Sequence, residues 1–478
     1  MPYQLYINGE WKDAQDGGTS DVRNPATGEV IASPAYGGVA DALAAMDAAA
    51  TAFPGWKART AYERGAILDK AAALIRERAK EIARALSLEN GKPFAESVGE
   101  TVGCAAWLEW FAEEGKRLYG RMVPSQFGHK RHWVIQQPLG VVVSVNPWNF
   151  PINLMSRKLG GALAAGCTVV SRPASQTPLS TMLLYECLHD AGFPPGVVNL
   201  VTGSAGKTTT AMLEHPACRK LSFTGSTEIG KVLMQQAGQR ITKVSLELGG
   251  HAPMIIFPDV DLDEAVEQAV IGKFRNGGQS CIAPNRIYVH RDIFDAFAEK
   301  VTARTAAMVV GNGLDEGVEM GPLFEQKQLE SVSAFVDDAV KKGATVLTGG
   351  KRLTGPGYDG GFFYAPTVLK DVSPAMRLTC EEVFGPVMPL FPFSDTDEVI
   401  AAANNTEYGL AAYVLVRDFS TAIKVSEGLE FGIVGLNDAV PTVPQAPFGG
   451  WKESGIGREG GFEGILAYTE TKYISVGV

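Results

Sequence analysis

From Val141 to Gly238 short apolar runs alternate with longer amphipathic ones, and this rhythm restricts the fold more than any other feature of the chain. The run Val141–Val145 precedes a helical stretch over Ile152–Ala165, then CTVVSRP, then the helix PLSTMLLYECLHDAG. VVNLVTG leads into a further helix, and KLSFTGS leads into TEIGKVLMQQAG. Neighbouring parallel strands need a long crossover, and a helix supplies it, so this alternation predicts an α/β protein with a largely parallel sheet. Ligands of such sheets lie near the strand C-terminal ends. After Gly249-Gly250 the rhythm restarts in MIIFPDV, DLDEAVEQAVIGKF, RIYVHRD and ATVLTGG, which predicts a second α/β unit.

The flanking segments read differently. Between Ala40 and Leu118 apolar positions recur at helical spacing, predicting two or three amphipathic helices, one of them stopped by Asn90-Gly91. HWVIQQPLGVVVSV switches to strand character, and Pro138-Leu139-Gly140 divides an outer strand from an apolar inner one. MPYQLYINGEWKDA reads as a short strand and turn, and the tail LAYTETKYISVGV alternates like a strand. At 478 residues the chain exceeds what one core usually supports, so two or more domains are expected, with the active site in the cleft between them.

Composition excludes several classes of function. A net charge of −10 argues against a broad nucleic-acid footprint. No apolar stretch is long enough to span a bilayer, and no charged n-region with an apolar h-region opens the sequence, so a cytoplasmic location is expected. Cys104, Cys167, Cys187, Cys218, Cys281 and Cys380 are too widely spaced for a disulfide framework or a zinc site, and no metal is expected.

One cysteine stands apart. Cys281, in KFRNGGQSCIAPNR, follows residues poor in helix formers, a context that exposes both the thiol and its backbone N–H. Glu247 lies in the apolar strand VSLELGG, where a desolvated carboxylate has a raised pKa and suits a general base. Asn149, in VNPWNFP, offers an amide donor for an oxyanion. Together they suit covalent chemistry at a carbonyl carbon, such as oxidation of an aldehyde through a thioester. The competing readings are an inert packed cysteine and an acid that caps a turn. Gly225-Ser226-x-x-x-Gly230 opens a helix whose N–H groups suit a pyrophosphate, although it is not GxGxxG. GSAGKTTT lacks the leading glycine of a P-loop, which is Val201 here. Arg157 and Arg275 suit a bidentate clamp for a carboxylate or sulfonate, or else are ordinary ion-pair partners.

PWNFP, FTGSTEIG, LELGG, GQSC, EEVFGPV and PFGGWKESGIGRE, taken in order, resemble the NAD(P)-dependent aldehyde dehydrogenase superfamily, and the resemblance runs from YINGEW to the final strand. It implies a Rossmann-type cofactor domain (1–123 and 138–250), an α/β catalytic domain (251–464, with a substrate loop at 437–448), and an oligomerisation arm (124–137 and 465–478) that builds a homodimer or homotetramer. It implies Cys281 as nucleophile, Glu247 as base and Asn149 as oxyanion donor. Trp148, Gly225, Ser226, Glu382 and Phe384 fall on cofactor contacts.

Within the superfamily the chain is most similar to succinate-semialdehyde dehydrogenases. That implies Arg157, in SRK, and Arg275, in KFRN, as the grip on an anionic tail, with Thr442, Phe448 and Phe150 lining the same tunnel. Other aldehydes remain open: sulfolactaldehyde, glutarate semialdehyde, lactaldehyde or an aromatic aldehyde. Arg172 stands in place of the usual lysine and Ser175 in place of a glutamate that repels a 2′-phosphate, so NADP is the expected cofactor with NAD possible. Ala283 replaces the neighbouring cysteine of some relatives, His251 has no functional account, and Pro441 and Pro444 stiffen the substrate loop. A noncatalytic, crystallin-like role would be expected to have lost Cys281, Glu247 or Asn149, and all three are present.

Overall fold

The computed structural model describes residues 3–478. Five parallel strands form the heart of the first sheet, in the spatial order Val198–Leu200, Thr168–Arg172, Val141–Val145, Cys218–Thr224, Lys243–Glu247. Every residue of Val141–Val145 is buried. Val142 faces one core cluster, and Val141, Val143 and Val145 face the other, so helices cover both sides. Chain order and spatial order part company between Val141–Val145 and Cys218–Thr224, and a crevice opens where the connections from two adjacent strands leave in opposite directions. Asn146–Phe150 and Gly225-Ser226 leave the sheet at that crevice.

The second sheet has seven strands in the order Thr345–Thr348, Thr367–Lys370, Val387–Phe393, Arg286–His290, Pro253–Ile256, Ala411–Leu415, Ile433–Leu436. All neighbours are parallel except the first pair. Three of these strands carry the signals noted above. The other four carry runs that do not show as strands on their own.

Four helices, not two or three, fill the stretch after Gly38: Val39–Ala58, Ala61–Glu77, Ala79–Asn90 and Phe94–Glu114. The extra break comes from Thr60, whose hydroxyl accepts from the Glu63 N–H at 3.2 Å while the Glu63 carboxylate returns to the Thr60 N–H at 2.7 Å. Asn90 does end a helix, and Gly91 closes it at φ +92°. The N-terminal segment, whose first two residues lie outside the described ones, forms two strands, Leu5–Ile7 and Glu10–Lys12, rather than one strand and a turn.

Two expected boundaries move. The arm is a three-stranded sheet of Arg121–Val123, Lys130–Pro138 and Thr469–Gly477, so its hairpin begins before residue 124 and ends on Pro138. The segment before residue 464 does not belong wholly with the second sheet. Gly455–Ile456 pairs antiparallel with Leu246 and Glu247 at the edge of the first. Glu459 then forms an ion pair with Lys158 at 2.5 Å, on the helix Pro151–Ala165, with both side chains almost completely buried. That pair ties the C-terminal segment across the strand that carries Glu247.

Removing one partner of a buried pair leaves the other charge uncompensated, at a cost of about 3–5 kcal/mol. Lys158→Met is therefore expected to lower the denaturation midpoint strongly in urea titrations, and unchanged midpoints would show that the pair contributes little.

Candidate active site

The loop before Cys281 adopts a conformation that few residues tolerate. Asn276, Gly277 and Gly278 are all left-handed, at φ 51°, 63° and 73°. A Cβ on Gly278 would come within 2.3 Å of the Gly385 carbonyl oxygen, so glycine is required there for both conformation and space. The turn delivers a partly exposed Cys281 to the junction of two cavities. Burial, followed by the Glu382 carboxyl, pushes its thiol up to about 12, while the Arg157 guanidinium opposes them. The Cys281 backbone N–H lies against its own sulfur.

Asn149 shares both cavity walls with Cys281. Its Nδ2 donates to the Gln279 carbonyl at 3.1 Å, which fixes the amide plane and leaves its second N–H available. Its own carbonyl is held by Lys92 Nζ at 2.7 Å and Asn276 Nδ2 at 3.0 Å.

Glu247 ends its strand in a dry setting, with both carboxylate oxygens buried and unpaired. Burial raises its pKa well above the ordinary carboxylate range. Glu459 raises it further, and Lys158, Arg157 and Arg458 only partly offset this. A carboxyl kept neutral in this way becomes a strong base once it ionises.

The cavity on one side of Cys281, about 360 Å³, runs past Trp148, Gly225, Ser226, Glu382 and Phe384. Trp148 stacks on Phe324 at 4.2 Å and meets Phe384 edge-on at 5.7 Å. Glu382 is pushed up to about 8 by burial, and its Oε1 accepts from the Gly250 N–H at 3.3 Å. A Cβ on Gly249 would lie 2.9 Å from Glu382 Oε2, so the two glycines leave a cradle around that carboxylate. Ser226 caps the helix Thr227–Gly238, and the Gly225 amide already donates to the Glu247 carbonyl at 3.1 Å. The Gly225 amide is thus already engaged, and the later amides of that helix start are the ones left free to face an anion. A polar cradle, an aromatic wall and a helix N-terminus fit a dinucleotide with a flat ring. Further along, Arg172 Nη2 donates to the Gly203 carbonyl at 2.9 Å and to Ser175 Oγ at 3.3 Å.

The cavity on the other side is small, about 190 Å³, below the ~300–1,000 Å³ usual for drug-sized ligands. It brings together Phe150, Arg157, Arg275, Thr442 and Phe448. Arg157 lies between the rings of Trp107 and Phe448, 4.8 and 4.3 Å from their centroids, and its Nε donates to Asn153 Oδ1 at 3.1 Å. Its Nη1 is buried without a hydrogen-bond partner, 3.9 Å from Glu459 Oε2, and Thr442 Oγ1 also lacks one. Arg275 lies over the Phe150 ring at 5.3 Å. His251 belongs to neither cavity wall. Burial drives it down to about 3, its Nε2 bonds the Thr379 carbonyl at 3.0 Å, and its own carbonyl holds Arg286, a structural role.

Lys92, Glu100, Lys158, Glu459 and Gln328 carry no signal in the sequence that sets them apart from ordinary polar positions. Gln328 Nε2 donates to the Phe384 carbonyl at 2.6 Å and holds that residue at its left-handed φ of 49°. Among the described residues, no group of three or more potential metal ligands occurs, and no helix is long and apolar enough to cross a membrane.

The aldehyde dehydrogenase family model matches residues 11–474. A glutarate-semialdehyde dehydrogenase of Pseudomonas putida is 50% identical over 475 residues, covering 99% of this chain and 98% of its own. An NADP(+) succinate-semialdehyde dehydrogenase of Escherichia coli matches at 50% over 475 residues with the same coverage. A crystal structure described as an E. coli NADP-dependent enzyme superposes with a TM-score of 0.98 at 50% identity, covering 100% of this chain and 98% of that one. Likeness of this extent, over both sheets and the arm, makes this chain a member of the aldehyde dehydrogenase family and an NAD(P)-dependent enzyme.

Proposed function

We propose that this enzyme oxidises a short aldehyde with an anionic tail to its carboxylic acid, with succinate semialdehyde as substrate and succinate as product. The supporting observation is Arg157 Nη1, buried without a hydrogen-bond partner and met only by Glu459 Oε2 at 3.9 Å, in a small cavity that also holds Arg275 and the Thr442 hydroxyl, likewise without a hydrogen-bond partner. A buried donor without a partner costs about 1–3 kcal/mol, more when charged, and a bound carboxylate relieves that cost. One methylene more would still reach the same clamp. Glutarate semialdehyde is the second reading, favoured by the equal similarity of the P. putida relative.

In this reading the Cys281 thiolate attacks the carbonyl carbon, and the oxyanion takes hydrogen bonds from Asn149 Nδ2 and the Cys281 N–H. Trp148, Ser226, Glu382 and Phe384 would hold a nicotinamide dinucleotide, which would supply the hydride acceptor for oxidation of the Cys281 adduct to a thioester. Glu247 takes a proton from water, which then attacks the thioester, while Glu459 and Lys158 act on its charge in opposite directions. NADP is the preferred cofactor and NAD is accepted. Uncharged Ser175 beside Arg172 supports this, as does the NADP(+) named for the E. coli relative. In this division of labour the first sheet holds the cofactor and the second supplies the nucleophile.

The arm supports self-association as a homodimer or homotetramer. Met122, Trp133 and Tyr473 are exposed on it at 72%, 44% and 59%. Light scattering should return two or four copies, and a monomer would reject this reading.

Steady-state kinetics should give the highest kcat/KM for succinate semialdehyde with NADP among succinate semialdehyde, glutarate semialdehyde, sulfolactaldehyde and butanal. Arg275→Ala should erase the preference over butanal, and equal wild-type turnover of butanal would sink the anion clamp. Ser175→Glu should move the NADP:NAD ratio at least about tenfold toward NAD by charge repulsion, since 1.4 kcal/mol already gives a factor of ten.

Glu247→Gln should keep one rapid equivalent of hydride transfer per subunit and slow later turnovers by about 10²–10⁴. Because the Glu247 pKa is raised, its basic form accumulates only as pH rises through that value. Wild-type thioester hydrolysis should therefore accelerate as pH rises above the ordinary carboxylate range, and the variant should lose that dependence. A pH profile shared by both would assign the base elsewhere.

A further inference from the structure

We propose that Lys92, Glu96 and Glu100 are positioning residues that set the amide of Asn149 against the Cys281 loop and, through Asn153, set Arg157 in the substrate cavity. Glu96 and Glu100 are spaced four residues apart and share one face of the helix Phe94–Glu114, and Lys92 lies in the segment just before it. Lys92 and Glu100 form an ion pair at 2.6 Å with side chains 0% and 1% exposed. The other end of that pair is functional ground. Lys92 Nζ also donates to the Asn149 carbonyl at 2.7 Å and lies 4.0 Å from the centroid of the Phe150 ring.

Glu96 acts from one turn earlier. Its Oε2 accepts from the Asn276 N–H at 2.9 Å, in the left-handed turn that precedes Cys281. Asn276 Nδ2 in turn donates to the same Asn149 carbonyl at 3.0 Å. A single carbonyl thus receives two donors from separate segments, each anchored by a carboxylate of one helix. Those two bonds restrain the peptide plane of Asn149, and its side chain is held from that base by the bond to the Gln279 carbonyl.

Glu100 has a second arm. Its Oε1 accepts from the Asn153 N–H at 3.2 Å, and Asn153 Oδ1 accepts from Arg157 Nε at 3.1 Å. One carboxylate therefore links the oxyanion donor to the anion clamp across a single turn of helix. It sets the distance between the carbonyl end of the substrate and its charged end. A structural ion pair needs none of these terminal contacts, and the desolvation of so many charges is not recovered by Coulomb attraction alone.

The first arm is independent of the substrate assigned above, while the Arg157 arm rests on it, and the test separates them. Acylation of Cys281 by p-nitrophenyl acetate without cofactor reads the oxyanion donor alone. KM for succinate semialdehyde against butanal, with NADP, reads the clamp. A misplacement of about 1 Å costs on the order of 10²-fold, so Lys92→Met and Glu100→Gln should slow ester acylation by about 10–100-fold. Glu100→Gln should also raise KM for succinate semialdehyde about tenfold more than for butanal. The double variant Lys92→Met/Glu100→Gln removes both charges together and serves where a lone buried charge prevents folding. Acylation within twofold of wild type in the folded double variant would overturn the proposal, and equal KM changes for the two aldehydes would remove the Arg157 arm. A wild-type preference for butanal would reject the substrate reading and leave the acylation result to decide the rest.

Discussion

The site exists because three loops approach each other more closely than side chains allow. A Cβ on Gly250 would lie 2.3 Å from the Cys281 carbonyl oxygen, and one on Gly278 would meet Gly385 at the same distance. Backbone packed directly on backbone holds Cys281 between the two sheets, and the left-handed run Asn276–Gly278 is what lets the chain arrive there. Everything else in the site is arranged around that fixed thiol. The two cavities meet at it, and the amide of Asn149 is braced against the carbonyl of Gln279, two residues before it.

Electrostatics then decides which groups can work. Desolvation is the largest influence on Cys281, Glu247 and Glu382 alike, and it outweighs the favourable charges of Arg157 and Lys158. A fold that sought only stability would pair such groups or replace them with apolar ones. Here Glu247 has no hydrogen-bond partner at either oxygen. The cost is borne by the surrounding packing, chiefly two apolar clusters that clasp the first sheet from either face.

Local features of this architecture were legible before any coordinates. The parallel strands Val141–Val145 and Thr168–Arg172 show as unbroken apolar runs because both their faces are buried. Cys281, Glu247 and Asn149 stood out because each is an unusual residue in its local context. Lys92, Glu96 and Glu100 did not, since a charge every fourth residue is also the pattern of a solvated helix face. The partnership of Lys158 with Glu459 spans 301 positions and leaves no local trace. For the same reason the edge strand Gly455–Ile456 was assigned with the wrong sheet. It is two residues long, and only its neighbours define it.

The sequence by itself determined the parallel α/β layering and the family, because periodicity and chemical type are local properties. Only the tertiary structure decided which charges lose their water, which lysine braces which carbonyl, and that an Arg157 nitrogen in the small cavity lacks a hydrogen-bond partner. Those outcomes depend on burial and on contacts between distant segments, and neither is written in the spacing of residues along the chain.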